Sequence, residues 1–379
     1  MIKKFDIIVV GGGIIGATFA LNLAINKPNF KIAIIDKLDF NKLKIDNRFY
    51  AISPNNIANF INLDVLPSNV GSMNKIQIFT DQNGFINLDS KLINKTFIAK
   101  IVDSYLLHQN LIDKLKMQYN VELITDNLLQ INNNDNLVLI HGKDTTYSCN
   151  LLIGSDGSNS WIKKELNIKS KSKDYQQYGI VANFESELDH DNTGFQWFVG
   201  EELLAFLPLT KNKISIVLST SNYKYLLNTS DDNFINLIRA KSNNRLGDLK
   251  LLTKPIGFPL KLDYLNILTN DKVILIGDAA HTVHPLAGQG INLGLNDARV
   301  LVEIISKKKH YQLIDQSILL SYNNLRVPQI RVTQFCCDAL FNMNVSNPLI
   351  KKIFLKTGFN IFNKSSLLKK FLLEYVKNH

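Results

Sequence analysis

An apolar run from Phe5 to Val10 breaks into Gly11-Gly12-Gly13-Ile14-Ile15-Gly16, after which Ile14, Ala17, Leu21 and Ala24 recur at helical spacing. A strand, a tight glycine turn and a helix in that order predict an α/β fold. Gly11 permits the turn, Gly13 lets the backbone approach a pyrophosphate, and Gly16 lets the helix pack against the strand. The helix start offers unpaired N–H groups and the positive end of its dipole to phosphates. A second strand, Lys31 to Ile35, ends in Asp36, twenty residues after Gly16, where a carboxylate can accept hydrogen bonds from a ribose diol. The unit predicts a dinucleotide site. It leaves open whether the dinucleotide is NAD or FAD.

Two later stretches narrow the choice. Val273 to Ile276 is an apolar strand that delivers Asp278 within Gly277-Asp278-Ala279-Ala280-His281, and Gly154-Ser155-Asp156-Gly157 stands mid-chain. The passage from His281 through His284-Pro285-Leu286-Ala287-Gly288-Gln289-Gly290-Ile291-Asn292 to Ala298 resembles the flavin-binding signature of the flavin-dependent aromatic hydroxylases. The likeness is to their ubiquinone-biosynthesis branch, which shares the para-hydroxybenzoate hydroxylase fold. Asp46-Asn47-Arg48-Phe49-Tyr50-Ala51-Ile52-Ser53 is similar to its D-x-R-x-x-A-[IL]-S element. Leu151 to Ser160 is similar to its L-L-x-G-A-D-G-x-x-S element. Asn150 departs from the usual Asp, and Lys163 stands where Arg often follows; Lys supplies a point charge but no bidentate fork.

The resemblance covers the whole chain and implies FAD. It implies an FAD-binding Rossmann-like domain (residues 1–72, 97–175 and 265–347), an interleaved antiparallel-sheet substrate domain (73–96 and 176–264) and a C-terminal helical segment (348–379). The expected cofactor set is Gly11, Gly13, Gly16, Asp36, Arg48, Asp156, Gly157, Gly277, Asp278, Gly288, Gln289, Gly290, Ile291 and Asn292. Asp278 is placed to bind a ribityl hydroxyl. Arg48, Pro285, Gly288 and Gly290 are expected to position the flavin ring, and the glycines bring a new helix start against it. That helix carries Ile291, Leu295, Ala298, Val302 and Ile305 as one apolar stripe. Its dipole favours the negative charge that collects on the reduced ring. Each residue also has a plainer reading: Asp278 as a helix cap, Arg48 as a surface ion-pair partner, Asp156-Gly157 as a common turn. His281 and His284 lack a third ligand at metal spacing, so no metal is expected.

Composition sets the outer limits. At 379 residues and 45% apolar, the chain can bury a large core, and no run reaches the length of a membrane span. Met1-Ile2-Lys3-Lys4 imitates a signal peptide, yet the apolar run passes into the glycine turn without a cleavage site, so the chain as given reads as cytoplasmic. Cys149, Cys336 and Cys337 suggest no disulfide framework. The net charge of +10 comes from lysine, since six of 43 basic residues are arginine, and no nucleic-acid module accompanies it. The C-terminal segment is basic and amphipathic. Leu367, Leu368, Phe371, Leu372 and Tyr375 follow a helix start at Ser365-Ser366, among Lys351, Lys352, Lys356, Lys364, Lys369, Lys370 and Lys377. Such an end can lie on the inner face of an anionic membrane. Packing of the stripe on the flavin domain is the reading that amphipathic helices favour in general.

Lys75 to Leu88 reads as a hairpin around Asp81-Gln82-Asn83-Gly84, and Tyr178–Phe184, Phe195–Val199, Leu203–Leu209 and Lys213–Ser219 read as a meander. The expected substrate pocket on this sheet is Phe195, Trp197, Phe206 and Pro208. By the resemblance, a polyprenylated phenol is hydroxylated by O2 through a flavin C4a-hydroperoxide, with electrons from NAD(P)H or a redox protein. The cofactor carries the difficult step and no side chain is assigned as acid or base. Partners implied are a membrane surface and a quinone-biosynthesis complex. Two other activities share the same FAD motifs: a flavin reductase or dehydrogenase, and a non-catalytic FAD-binding subunit of such a complex.

Overall fold

A computed structural model describes residues 2–81, 83–133, 137–283, 289–308, 315–345 and 358–378. Its first sheet is built on β1 (Ile2–Val10), which pairs in parallel with β2 (Ile32–Asp36) on one side and β11 (Thr146–Gly154) on the other. β8 (Val121–Thr125) continues beyond β2, and β19 (Val273–Leu275) and β18 (Thr269–Asn270) continue beyond β11. β9 (Gln130–Asn133) and β10 (Val138–His141) form a hairpin running antiparallel to β11. Ile7, Ile8, Val9, Ile32, Ala33 and Ile34 are fully buried, as continuous apolar strands of a parallel sheet must be when helices cover it. Those helices include α1 (Ile14–Asn26), α3 (Ser104–Lys116) and α7 (Gln289–Ser306).

The register aligns strand ends. Val10 lies opposite both Ile35 and Gly154, and Gly154 lies opposite Leu275. The chain is held past those ends by backbone bonds from Gly11 N–H to the Ile35 carbonyl (2.9 Å), Ser155 N–H to Val10 (2.8 Å) and Ile276 N–H to Gly154 (2.9 Å). Four carboxyl ends therefore converge on one crevice, the place where open α/β sheets bind ligands.

The second sheet is antiparallel except for one pair. Its order is β20 (His281–Thr282), β17 (Ile256–Tyr264), β12 (Lys171–Ser186), β15 (Lys213–Thr220), β14 (Glu202–Pro208), β13 (Thr193–Val199), β5 (Lys75–Thr80) and β6 (Phe85–Asp89), with β16 (Leu249–Leu251) beside β12. The hairpin at Asn83-Gly84 forms as the turn residues dictate, although Gln82 lies outside the described residues. The four later strands do not follow a simple meander. β13, β14 and β15 pair in sequence, but β12 joins at β15, and β13 pairs in parallel with β5. The turn after Glu185 thus crosses to the far side of the group before β13 begins. One face of this sheet packs on α5 (Tyr223–Asn228) and α6 (Asp231–Lys241), through Phe184, Phe195, Trp197, Phe206, Phe234 and Ile238.

A small sheet of β3 (Phe49–Ile52), β7 (Ala99–Asp103) and β4 (Gly71–Met73) joins the two larger ones, with α2 (Pro54–Asn62) following β3. α4 (Trp161–Glu165) follows the Gly154 turn. α8 (Gln316–Val345) leads to α9 (Phe359–Lys364) and α10 (Ser366–Asn378). The last helix starts at Ser366 as its sequence suggests, but its stripe does not pack as a unit. Leu372 and Leu373 pack with Ile93, Cys337 and Phe359, whereas Leu367 and Phe371 stay 77% and 72% exposed. Lys351, Lys352 and Lys356 lie outside the described residues, as do the side chains of Tyr375 and Lys377.

Candidate functional site

The crevice begins at the glycine turn. Gly11 has φ +102°, and a Cβ there would lie 2.4 Å from the Ser155 carbonyl oxygen. A Cβ on Gly16 would lie 2.1 Å from the Gly11 carbonyl oxygen, so the helix approaches the turn as closely as a backbone can. Gly13 is different: a Cβ on it meets nothing within 4 Å. The turn is closed on its protein side and open at Gly13, where α1 begins without a side-chain cap or an acidic residue in its first turn. Its free N–H groups and positive dipole end face that opening, a fit for a pyrophosphate.

Asp36 lies at the edge of this opening. Its Oδ2 accepts from Gly12 N–H at 2.7 Å and its Oδ1 from Leu38 N–H at 2.9 Å, so each oxygen keeps a lone pair for a sugar hydroxyl. Two residues outside the expected cofactor set complete the turn. Ser155 Oγ donates to the Gly11 carbonyl at 2.7 Å, and His108 Nε2 lies 2.7 Å from the Gly12 carbonyl. Burial pushes the His108 imidazole below its ordinary pKa, so at neutral pH it is uncharged and donates that bond from Nε2.

Asp278 stands at the carboxyl end of β19, open to the crevice, with no hydrogen bond from the described residues. The surrounding walls push its carboxyl up, against the attraction of His281, Arg48 and Lys163. Arg48 comes from a different element, just before β3, near enough for its charge to attract the Asp278 carboxylate. Its Nε reaches both Asp46 oxygens, at 2.9 and 2.7 Å, and its guanidinium sits 5.8 Å from the centre of the Tyr50 ring. Burial pushes the Asp46 carboxyl up, but the bonds and charge of Arg48 outweigh it and leave the carboxyl below its usual range. Arg48 is therefore an ion-pair partner and a wall of the crevice together.

Other expected residues are placed less simply. Asp156 Oδ2 accepts from Trp161 and Ile162 N–H at 2.6 and 3.2 Å, so that oxygen caps α4 and is not presented to a ligand. Its Oδ1 is buried without a partner among the described residues, and Gly157 beside it has open space at its Cβ. Lys163, on α4, pairs with Asp263 of β17 at 2.5 Å and ties the two sheets together. The Asn292 side chain is consumed inside the protein: Oδ1 accepts from Ser53 N–H and Asn56 Nδ2, and Nδ2 donates to the Ala51 carbonyl. It fixes β3 and α2 against α7. Gln289, Gly290 and Ile291 form the first turn of α7; Pro285, Gly288 and His284 lie outside the described residues.

Beneath Asp278 sits a charge cluster that motif spacing does not reveal. Asp297 is fully buried; its Oδ2 accepts from Gly277 N–H at 2.9 Å and from His281 Nε2 at 2.5 Å, and its Oδ1 from Arg326 Nε at 2.7 Å. Arg326, also fully buried, donates to the Leu293 carbonyl at 3.0 Å. Burial pushes the Asp297 carboxyl up, and the charges of His281 and Arg326 with their hydrogen bonds more than reverse it. The His281 ring is thereby committed to a carboxylate. The sequence signal was a carboxylate inside the apolar stripe of α7 and an arginine between Leu325 and Val327.

The expected pocket residues lie on the wrong face. Phe195, Trp197 and Phe206 are 5%, 3% and 1% exposed and form the core under α6, with Phe206 edge-on to Trp197 at 4.8 Å. Pro208 shares the parity of Phe206. The residues facing the crevice are their neighbours. Leu207 packs with Phe49, and Asn183 Nδ2 donates to the Asn47 carbonyl at 3.0 Å, beside Arg48. Both faces of these strands are buried, so apolar size pointed to the core face.

The open helix start at Gly13, the open lone pairs of Asp36 and the Asp278 carboxylate, which has no hydrogen bond among the described residues, suit in turn a pyrophosphate, a ribose diol and the ribityl chain that FAD has and NAD lacks. The chain belongs to the FAD binding domain family, whose model matches residues 132–334. It is similar along nearly its whole length to the mitochondrial ubiquinone biosynthesis monooxygenase COQ6 of Dictyostelium discoideum, with 27% identity over 97% of this chain and 90% of that one. It is 26% identical to the 3-demethoxyubiquinol 3-hydroxylase of Escherichia coli K12, over 98% and 97% of the two chains. Among solved structures, p-nitrophenol 4-monooxygenase PnpA of Pseudomonas putida DLL-E4 shares the fold, with a TM-score of 0.79 at 16% identity over 99% of each chain. The expectation of an FAD-dependent monooxygenase, drawn from the motifs, is borne out.

Proposed function

We propose that this chain hydroxylates the aromatic ring of a polyprenylated phenol in ubiquinone biosynthesis, with FAD held by Gly13, Asp36 and Asp278. The reading rests on the free Asp278 carboxylate facing Arg48 across a crevice that the antiparallel sheet closes from the other side. Bound FAD supplies the activation of O2. One oxygen atom enters the ring and the other leaves as water, with two electrons and two protons consumed. The side chains bind and exclude. The start of α1 takes the pyrophosphate, Asp36 the adenosine ribose and Asp278 a ribityl hydroxyl. The Arg48 guanidinium, held by Asp46, puts positive charge beside the ring. Apolar clusters around Ala51, Met73 and Ile101 on one side, and around Phe198, Leu203 and Phe359 on the other, keep water from the space between them.

The test is product analysis. The FAD-loaded protein, given reductant, a short-chain prenylated phenol and labelled O2, is expected to yield a product carrying one labelled oxygen on the ring. Reductant oxidation with hydrogen peroxide as the sole oxygen product would sink the proposal and favour a reductase.

The substrate's tail favours work at a lipid surface. No helix among the described residues is long and apolar enough to cross a membrane. The exposed Ile361, Leu367, Leu368 and Phe371, with Lys364, Lys369 and Lys370 among them, suit an anionic bilayer surface. Sedimentation with anionic vesicles is expected to carry the protein down, and Leu367→Glu with Phe371→Glu to release it. Equal binding of parent and variant would remove this helix from the contact.

A further inference from the structure

The crevice-facing side of the antiparallel sheet has a row that belongs to no apolar cluster. Register places Val181 of β12 opposite Val217 of β15, Val217 opposite Ala205 of β14, and Ala205 opposite Gln196 of β13. At about 4.8 Å between strands, these four side chains form one transverse line. Its two ends along the strands are filled. Gly194 abuts Met73, in the cluster with Ala51 and Ile101, and Phe198 packs with Phe359. Between these clusters the row is floored by small and branched apolar groups, with a single carboxamide among them.

That carboxamide is anomalous. Gln196 is 8% exposed, and its side chain makes no hydrogen bond among the described residues. Other buried amides near this face are each held by at least one bond: Asn183 Nδ2 donates to Asn47, and Gln177 Nε2 donates to the Glu201 carbonyl at 3.0 Å, although Asn183 Oδ1 and Gln177 Oε1 have no partner among the described residues. A buried amide with unmet donors and acceptors costs free energy that a bound polar group would recover. Its atoms also escape the set of wholly enclosed orphans, which includes Ser215 Oγ and Ser219 Oγ on the same face. The amide thus faces space and not packed atoms.

We infer that Gln196 is the specificity-determining residue of the substrate slot, hydrogen-bonding an oxygen substituent of the phenol ring. This rests on the hydroxylase reading. The amide can donate to an ether or phenolate oxygen and accept from a hydroxyl, whereas Val181, Val217 and Ala205 give the ring an apolar bed. A ring held at one oxygen can present only certain carbons to the cofactor, so the same contact governs which position is hydroxylated.

The experiment compares a short-chain prenylated phenol bearing a second ring oxygen with the same compound lacking it. For Gln196→Met, the KM of the first is expected to rise about three- to tenfold, the worth of one neutral hydrogen bond, with the KM of the second unchanged. FAD content and melting temperature should match the parent. Parallel changes for both compounds, or none, would overturn the inference while leaving the hydroxylase reading intact. If Gln196→Met folds poorly, Ala205→Leu tests the same row, because a longer side chain there should raise KM for both compounds. Unchanged KM values in Ala205→Leu would show that the row is not the slot. A parent that hydroxylates neither phenol would overturn both readings.

Discussion

Replacing Asp297 with Ala is expected to cost about 3–5 kcal/mol of stability, because it leaves Arg326 and His281 buried without their shared carboxylate. The measurement is the urea midpoint, with an unchanged slope showing that stability alone has moved. FAD affinity should fall roughly tenfold as well, since Gly277 N–H loses its acceptor and the turn carrying Asp278 is no longer pinned to α7 and α8. A midpoint shift equivalent to less than about 1 kcal/mol would mean the cluster relaxes and has been misread. The parent's acid response carries a further check. The folded Asp297 carboxyl lies below its ordinary value, so its contribution is complete above the unfolded pKa and disappears as pH falls through the folded one. The parent should therefore lose stability below about pH 4, and Asp297→Ala should lack this part of the loss.

The second large effect separates packing from ligand at the glycine turn. Gly16→Val places a branched side chain against the Gly11 carbonyl and Ser155 Oγ, at 2.1 and 2.4 Å for its Cβ alone. The helix must move off the turn, and FAD affinity is expected to fall ten- to a hundredfold, roughly, along with the stability of the FAD-free protein. Gly13→Ala meets no protein atom within 4 Å. It should leave the FAD-free protein as stable as the parent and still weaken FAD, because the added methyl occupies the approach of the phosphates. Equal FAD retention by Gly13→Ala and parent would place the pyrophosphate elsewhere.

The sequence was most informative where backbone geometry fixes residue type. Gly11 and Gly16 could be read because the turn tolerates no side chain, and Asn83-Gly84 because a tight hairpin needs them. Strand partners were harder. Alternation in β12 to β15 says which residues share a face, but not that β13 lies beside β5. Face assignment failed for a related reason. Phe195, Trp197 and Phe206 are large because they fill the core over α6, while a site needs smaller groups such as Ala205 and Val217 that leave room. Asn292 falls within a flavin motif yet serves as a brace. The Asp297–Arg326 pair joins two helices across 29 positions of sequence, and only three-dimensional packing brings the two residues together.

The convergence of strand ends on the crevice also governs when the protein can acquire its cofactor. The glycine turn follows the first strand, but Asp278 lies on the turn after β19, and most of the chain intervenes. During synthesis the end of β11, Leu152 to Gly154, has no neighbour on its outer side until β19 emerges, since β10 covers only Thr146 to Cys149, and β5 waits for β13. Two parallel pairings of such long separation form slowly and leave strand edges bare in the interval. With the site proposed above, FAD cannot assist this stage, since the carboxylate proposed for its ribityl chain does not yet exist. Capture of the flavin is thus a closing event of biogenesis, and the nascent chain must stay unaggregated without its help.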